Sequence, residues 1–207
     1  YPDAITDELI DVFAEEPKLV HYFDIPIQHV NDRILKRMHR RGTRAELDAL
    51  FAKLRSRIPD AVMRTSLITG LPGEGEAEFE ELCDWLREHK LERVGAFAFS
   101  PEEGTPAAEM DYPPEEIAVR RAEIINELQS RVMDEFNEKQ RGKTLEVLCE
   151  GYDDETEQYF GRTYADSPDI DGRVVFTSEA PVKVGTFVPV EITGAADGDL
   201  TGKARKN

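Results

Sequence analysis

The sequence predicts an α/β chain in two parts: a partial (β/α) barrel, its C-terminal half, followed by a small five-stranded, OB-like β-barrel. Three observations carry this. Apolar runs alternate with amphipathic helical segments three times in the first two thirds of the 207 residues, the pattern of parallel strands joined by right-handed crossovers. Past Gly142 the helical period disappears, and short runs of Val, Leu, Phe, Tyr and Thr are separated by Gly, Asp and Pro. Three strands cannot close a (β/α) barrel, and the chain opens on Tyr1 rather than Met, so the first part is expected to continue earlier strands of a longer protein. The domains are placed at 1–141 and 142–207.

Each element has its own signal. Ile5, Leu9, Ile10 and Phe13 fall at helical spacing behind Thr6 and Asp7, which can cap a helix over 5–15. Residues 19–27 are dense in apolar and aromatic side chains and read as a buried strand running into a loop at Pro26. Asn31 opens a second helix with Ile34, Leu35 and Met38 on one face, expected to end in Arg40, Arg41 and Gly42. Thr43 and Glu46 form a capping-box pattern ahead of the stripe Leu47, Leu50, Phe51, Leu54 and Ile58. A second strand is expected over 61–69, a turn over 70–73, and a helix carrying Phe79, Leu82, Cys83 and Leu86. A third strand follows over 93–100. Pro113 and Pro114 start a long helix whose Ile117, Ile124, Leu128, Val132 and Phe136 are expected to face the core. Five short strands are then expected at 144–150, 159–163, 173–177, 187–193 and 200–205.

Composition narrows the function classes. There are 26 Lys and Arg against 43 Asp and Glu, a net charge of -17, which opposes tight binding to phosphate backbones and favours a basic protein partner. Acidic excess also simply confers solubility, and composition alone does not separate the two. No apolar run approaches a membrane span and the first residues show no signal peptide, so a cytoplasmic location is expected. Cys83 and Cys149 lie far apart and share no ligand spacing with the histidines, which makes them buried hydrophobes rather than metal ligands or a disulfide. The basic cluster Arg33, Lys36, Arg37, His39, Arg40 and Arg41 fits cations at a helix C-terminus. Aromatic residues, which single-stranded nucleic acid would require, are not interleaved with it.

In a (β/α) barrel, ligands collect at the C-terminal ends of the strands. Three segments lie there. The first is 24–29, Asp-Ile-Pro-Ile-Gln-His: Asp24 interrupts an apolar strand, where a carboxylate is costly unless paired or facing a polar site, and Gln28 and His29 are placed at the rim with hydrogen-bonding capacity. The second, 64–74, brings Arg64 and Ser66 onto one strand face and lets Gly70 admit a ligand close to the backbone. The third, 97–106, has Phe97 and Phe99 on a shared face that is either core or the wall of a pocket for a flat heterocycle, core being expected for one of them. Each pattern alone also describes an ordinary strand and loop. No nucleophile triad, P-loop, Rossmann fingerprint or HExxH motif occurs.

Together, four stretches in order resemble the radical-SAM methylthiotransferases: 24–38, 64–74, Phe-Ser-Pro-Glu-Glu-Gly-Thr-Pro-Ala at 99–107 and Ala-Asp-Ser-Pro-Asp-Ile-Asp-Gly at 165–172. The tRNA-modifying branch of that family usually has Leu-Pro-Val-Gln-Ser-Gly-Ser where this chain has Ile-Pro-Ile-Gln-His-Val-Asn. His29 therefore resembles the branch that adds a methylthio group to the β-carbon of an aspartate in the twelfth small-subunit ribosomal protein. The resemblance makes the terminal barrel a TRAM domain. Residues 143–207 hold 7 Lys and Arg against 13 Asp and Glu, a net of -6, which suits a basic protein better than RNA.

The resemblance implies S-adenosylmethionine and two 4Fe-4S clusters in the full-length enzyme. The cluster ligands are absent from this chain, so it is expected to be inactive alone, with no catalytic or metal-binding residue of its own. It further implies a cofactor-side role for Gln28, Arg64, Ser66, Gly70 and Phe99. Asp153, Asp154, Glu155, Asp166, Asp169 and Asp171 are expected to form the docking surface for the basic ribosomal protein, with RNA a weaker alternative, no membrane partner, and a monomeric full-length protein. The other readings are a tRNA-adenosine methylthiotransferase and a non-enzymatic protein-docking module.

Overall fold

A computed structural model describes residues 1–205. Two compact units are distinguished, Tyr1–Gln129 and the remainder from Ser130 onward.

The first unit contains helices α1 (Asp7–Glu15), α2 (Asp32–Arg37), α3 (Arg44–Arg57) and α4 (Glu76–His89) and strands β1 (Tyr22–Asp24), β2 (Val62–Thr69) and β3 (Arg93–Ala98). Helix α5 (Glu115–Glu138) starts in this unit and carries the division between the two. The strands form one parallel sheet in the order β1-β2-β3, as strand-helix alternation requires.

Local chemistry explains where the helices begin. Thr6 Oγ1 accepts from Leu9 N, Asn31 Oδ1 accepts from both Arg33 N and Ile34 N, and Thr43 and Glu46 form the reciprocal capping box. Helix α2 stops at Arg37 rather than at Arg40.

Strand β1 is much shorter than the apolar run that announced it. Pro26 has no N–H to donate, and the ladder is replaced by a side chain: buried Thr65 Oγ1 donates to Ile25 O (2.8 Å) and accepts from Ile27 N (3.1 Å). Chain and sheet rejoin at Gln28, which pairs with Leu67 as an isolated bridge.

One face of the sheet is covered by helices. Phe23, Met63, Leu67 and Ala96 from the strands pack with Phe51, Leu54, Leu82, Trp85 and Ile125 in a single core. Trp85 satisfies its indole N–H on Asp48 (2.6 Å), stacks on His89 and meets the edge of Phe51, so a large apolar body is buried without stranding its donor.

The face of α5 is in part the expected one, since Ile124 and Leu128 pack, partly buried, against the core. Ile117 is exposed, and the buried line is Ala118, Arg121, Ala122, Ile125 and Gln129, one position along. Small residues win here because the backbone of Gly70 comes so close that a Cβ added to it would sit 2.3 Å from that of Ala118.

The second unit is a closed barrel in the order β4-β5-β6-β8-β7, built from β4 (Thr144–Asp153), β5 (Gln158–Arg162), β6 (Val174–Thr177), β7 (Phe187–Ala196) and β8 (Asp199–Ala204). All five strands fall where the short runs were read. Closure removes the free edges an open sheet would present. Val147, Cys149, Val174, Phe176, Val190 and Ile192 fill the interior.

Candidate functional site

The parallel register puts Asp24 beside Arg64, Ser66 beside Gly95 and Ile68 beside Phe97. Side chains of paired residues share a face, so these six belong to the side of the sheet opposite the helices. That side is open: Asp24 and Phe97 are exposed, and Arg64, Ser66 and Ile68 are half-buried. Both ways of keeping the Asp24 carboxylate are present, since it is exposed and Arg64 Nη1 donates to Asp24 Oδ2 at 2.8 Å. The expectation that Phe97 or Phe99 belongs to the core fails. Phe97 is 58% exposed, because its face is the uncovered one, and Phe99 is half-buried against the edge of Tyr112.

At the C-terminal edge, Gln28 takes a left-handed backbone (φ 70°) while keeping two bonds to β2, Gln28 N to Ser66 O and Ile68 N to Gln28 O. A non-glycine residue in that region costs about 1 to 2 kcal/mol, and the paired backbone holds it there. His29 is not at the rim. It is 0% exposed, with Nδ1 accepting from Asn31 N at 3.0 Å, so its neutral ring carries the proton on Nε2, 3.5 Å from Glu74 Oε2.

Glu74 is the residue that sequence patterns missed. It is fully buried at the end of the Gly70–Glu74 turn, where Oε1 accepts from Gly70 N (3.0 Å) and from Arg121 Nη1 (2.8 Å). A carboxylate survives burial only with such partners. Glu74 thereby ties the turn after β2 to α5, while its Oε2 and the nearby His29 Nε2 make no hydrogen bond among the described residues. Gly70 serves the same joint: its positive φ of 75° and its contact with Ala118 explain the glycine by packing, independent of any ligand. The only advance hint was Glu74 directly after the Gly-Leu-Pro-Gly turn.

Between these loops lies an apolar cleft of about 230 Å³, lined by Met38, Ile68, Leu71, Phe99 and Met110, with Arg37 at its edge. Half of the neighbouring basic cluster is engaged internally. Arg33 meets Glu78 and Gly73 O, Arg40 donates to Pro26 O and stacks over Tyr1, and Arg41 faces Asp3. The reading of this cluster as nucleic-acid contact loses three of its six residues to these bonds. Arg37 is exposed and, among the described residues, has no ion-pair or hydrogen-bond partner.

In the β-barrel unit the six acidic residues part ways. Asp153, Asp154 and Glu155 are exposed on the turn between β4 and β5, where Asp153 Oδ1 accepts from Glu155 N and Thr156 N. Those two backbone donors hold the Asp153 carboxyl below its ordinary value. Burial first, then Glu157, Tyr159, Asp154 and Asp153, raise the Tyr152 phenol beside them. In the loop 165–172, Asp169 is exposed, and Asp171 is half-buried with Oδ2 accepting from Ser167 N. Asp166 is buried, its Oδ2 taken by Thr163 N (3.0 Å) and Thr163 Oγ1 (2.7 Å). It shapes its loop from inside instead of offering a charge to a partner.

Cys83 and Cys149 are both free and buried, and burial pushes the Cys83 thiol up to about 11. Among the described residues no group of three or more His, Cys, Asp or Glu is placed to hold a metal ion. An iron-sulfur cluster does not fit this donor set. Among the described residues no helix is long and apolar enough to cross a membrane.

Comparison with known proteins adds to this geometry. Residues 2–86 match the radical SAM superfamily and residues 142–204 match the TRAM domain. The chain is 44% identical over 206 residues to the ribosomal protein uS12 methylthiotransferase of Acetivibrio thermocellus, covering 98% of this chain and 45% of that protein. It is 46% identical over 205 residues to the protein of the same name from Lachnoclostridium phytofermentans, covering 99% of the chain and 47% of the relative. The chain thus spans about half the length of the curated relatives it matches. Among solved structures, the radical SAM enzyme coproporphyrinogen III oxidase from Escherichia coli aligns with a TM-score of 0.53 at 17% identity, over 63% of this chain and 31% of that one. At that identity the likeness speaks to fold alone.

Proposed function

From a chain that belongs to the radical SAM methylthiotransferase family, we propose a protein that adds a methylthio group to the β-carbon of an aspartate in ribosomal protein uS12. The present residues would supply the cofactor-side sheet face and a docking barrel. The observation that carries the reading is the open strand-end face in the radical SAM region, joined in one chain to a TRAM barrel of net negative charge.

S-adenosylmethionine fits the residues that are here. Its amino-acid end carries both charges, which the Asp24–Arg64 pair and Ser66 can meet from one face, and its heterocycle needs an apolar wall such as Phe99 provides. Gln28, held in its left-handed turn at the sheet edge, is a further hydrogen-bonding group for the cofactor, and Gly70 keeps the neighbouring backbone close to α5. When bound and cleaved, S-adenosylmethionine supplies the radical. The clusters that family members use would be held by ligands outside this chain, and its own residues bind, orient and exclude water.

The target is argued from charge. Asp153, Asp154 and Glu155 project from one turn, with Asp169 and Asp171 on another loop of the barrel. Such a surface attracts a Lys- and Arg-rich protein and repels a phosphate backbone. This favours ribosomal protein over tRNA, and the cytoplasm as the place of action.

The test is mass spectrometry of uS12 and of tRNA from cells with and without the gene. A methylthio group on the uS12 aspartate that vanishes with the gene is expected. Its persistence without the gene, or loss of the group from tRNA instead, contradicts the proposal.

A further inference from the structure

The cleft beside Arg37 has a composition that the cofactor explains only at Phe99. Its walls, Met38, Ile68, Leu71, Phe99 and Met110, offer no charge, and the one cation at its edge, Arg37, is unpartnered among the described residues. In a chain with 43 acidic residues that is unusual company for an arginine. The other eleven arginines of the first unit all have a carboxylate or carbonyl to meet, Arg44 with Glu81, Arg55 with Glu92 and Arg64 with Asp24 among them. A bland account exists, in that Arg37 closes α2 and cations are favoured at a helix C-terminus. Lys36 satisfies that account equally well, and it does not line the cleft.

We propose that Arg37 and this cleft form the seat of the target aspartate side chain, the guanidinium taking the carboxylate and the apolar floor taking the methylene. The inference rests on the proposed function and deepens it by naming the residue that selects the acidic side chain. The placement follows from β2: Arg64, Ser66 and Ile68 succeed one another on one strand face, so the cleft at Ile68 lies one step beyond Arg64 and Ser66 and shares the Phe99 wall with the cofactor. A floor without hydrogen-bonding groups leaves the carboxylate one charged partner, and a planar guanidinium can take both carboxylate oxygens at once.

The experiment uses the intact protein and two synthetic peptides that carry the uS12 target segment, one with the aspartate and one with asparagine in its place, titrated by calorimetry. The wild type is expected to prefer the aspartate peptide by about tenfold or more, the range of a charge-assisted hydrogen bond. Arg37→Gln erases the preference, and Arg37→Lys keeps part of it, since an ammonium supplies charge without the fork. Unchanged thermal unfolding of both variants separates this from misfolding. Arg37→Gln weakening both peptides equally overturns the seat while leaving the target intact. A wild type that binds neither peptide overturns target and seat together. A variant that loses S-adenosylhomocysteine affinity by the same factor places Arg37 at the cofactor and also overturns it.

Discussion

Arg121 of α5 donates to Glu74 at 2.8 Å with both side chains inside the protein, 8% and 0% exposed. The pair joins a helix to the turn after β2, and His29 Nε2 from the loop after β1 lies 3.5 Å from the second Glu74 oxygen without a hydrogen bond to it. Three segments far apart in sequence come together around one carboxylate. Arg121→Met, which strands that charge, is expected to cost about 3 to 5 kcal/mol in denaturant unfolding. Arg121→Met with Glu74→Leu should cost clearly less than the sum of the single changes, because the second change removes the stranded group. Additive losses would mean that the pair is not coupled.

Gly70 stands where a side chain has neither room nor a comfortable backbone. Gly70→Ala places a methyl within 2.3 Å of the Ala118 methyl at a φ of 75°. Overpacking and the left-handed backbone together predict a loss of about 3 kcal/mol. Ala118→Gly in the same protein should recover part of the steric share, set against about 1 kcal/mol for a glycine inside α5 measured in the Ala118→Gly single variant, and leave the backbone share, which thermal unfolding of the single and double variants can read.

The elements were legible because their signals are local. Thr43 and Glu46 announce a capping box with side chains three residues apart, and the five runs after Gly142 alternate as barrel strands do. Joints between elements were not legible. Glu74 and Arg121 are 47 residues apart, and nothing in either neighbourhood reveals that one will satisfy the other. His29 looked like a rim residue because it follows Gln28, yet the left-handed turn at Gln28 sends the chain inward to Glu74. The α5 stripe holds at Ile124 and Leu128 and fails at Ile117 for a related reason: periodicity selects large residues, and close approach to Gly70 selects small ones.

Cys83, with a thiol pushed up to about 11 by burial, should resist a thiol reagent in the folded protein. At neutral pH labelling should be negligible, and it should rise only in denaturant. Stoichiometric labelling under native conditions would place Cys83 in an open site rather than in the core of α4.

Asp153 shapes the acidic turn through backbone donors, and its carboxyl is held below the ordinary 3.8. Since the folded value is the lower one, this stabilisation is complete above the ordinary value and is lost as pH falls through the folded value. The amide signals of Glu155 and Thr156 in NMR should report the turn intact at neutral pH and loosening only below the ordinary carboxylate range. Asp153→Asn, which keeps an acceptor, should retain the turn and remove the dependence. A midpoint above 3.8 would contradict the assignment.

Docking through the acidic turn is tested most directly by measuring uS12 binding to the intact protein with Asp153→Lys, Asp154→Lys and Glu155→Lys combined, at low and at moderate salt. The reversed charges are expected to lower affinity and association rate at least about tenfold at low salt, with a smaller difference at moderate salt, as screening requires. Equal binding by the wild type and the triple variant at both salt concentrations would contradict it.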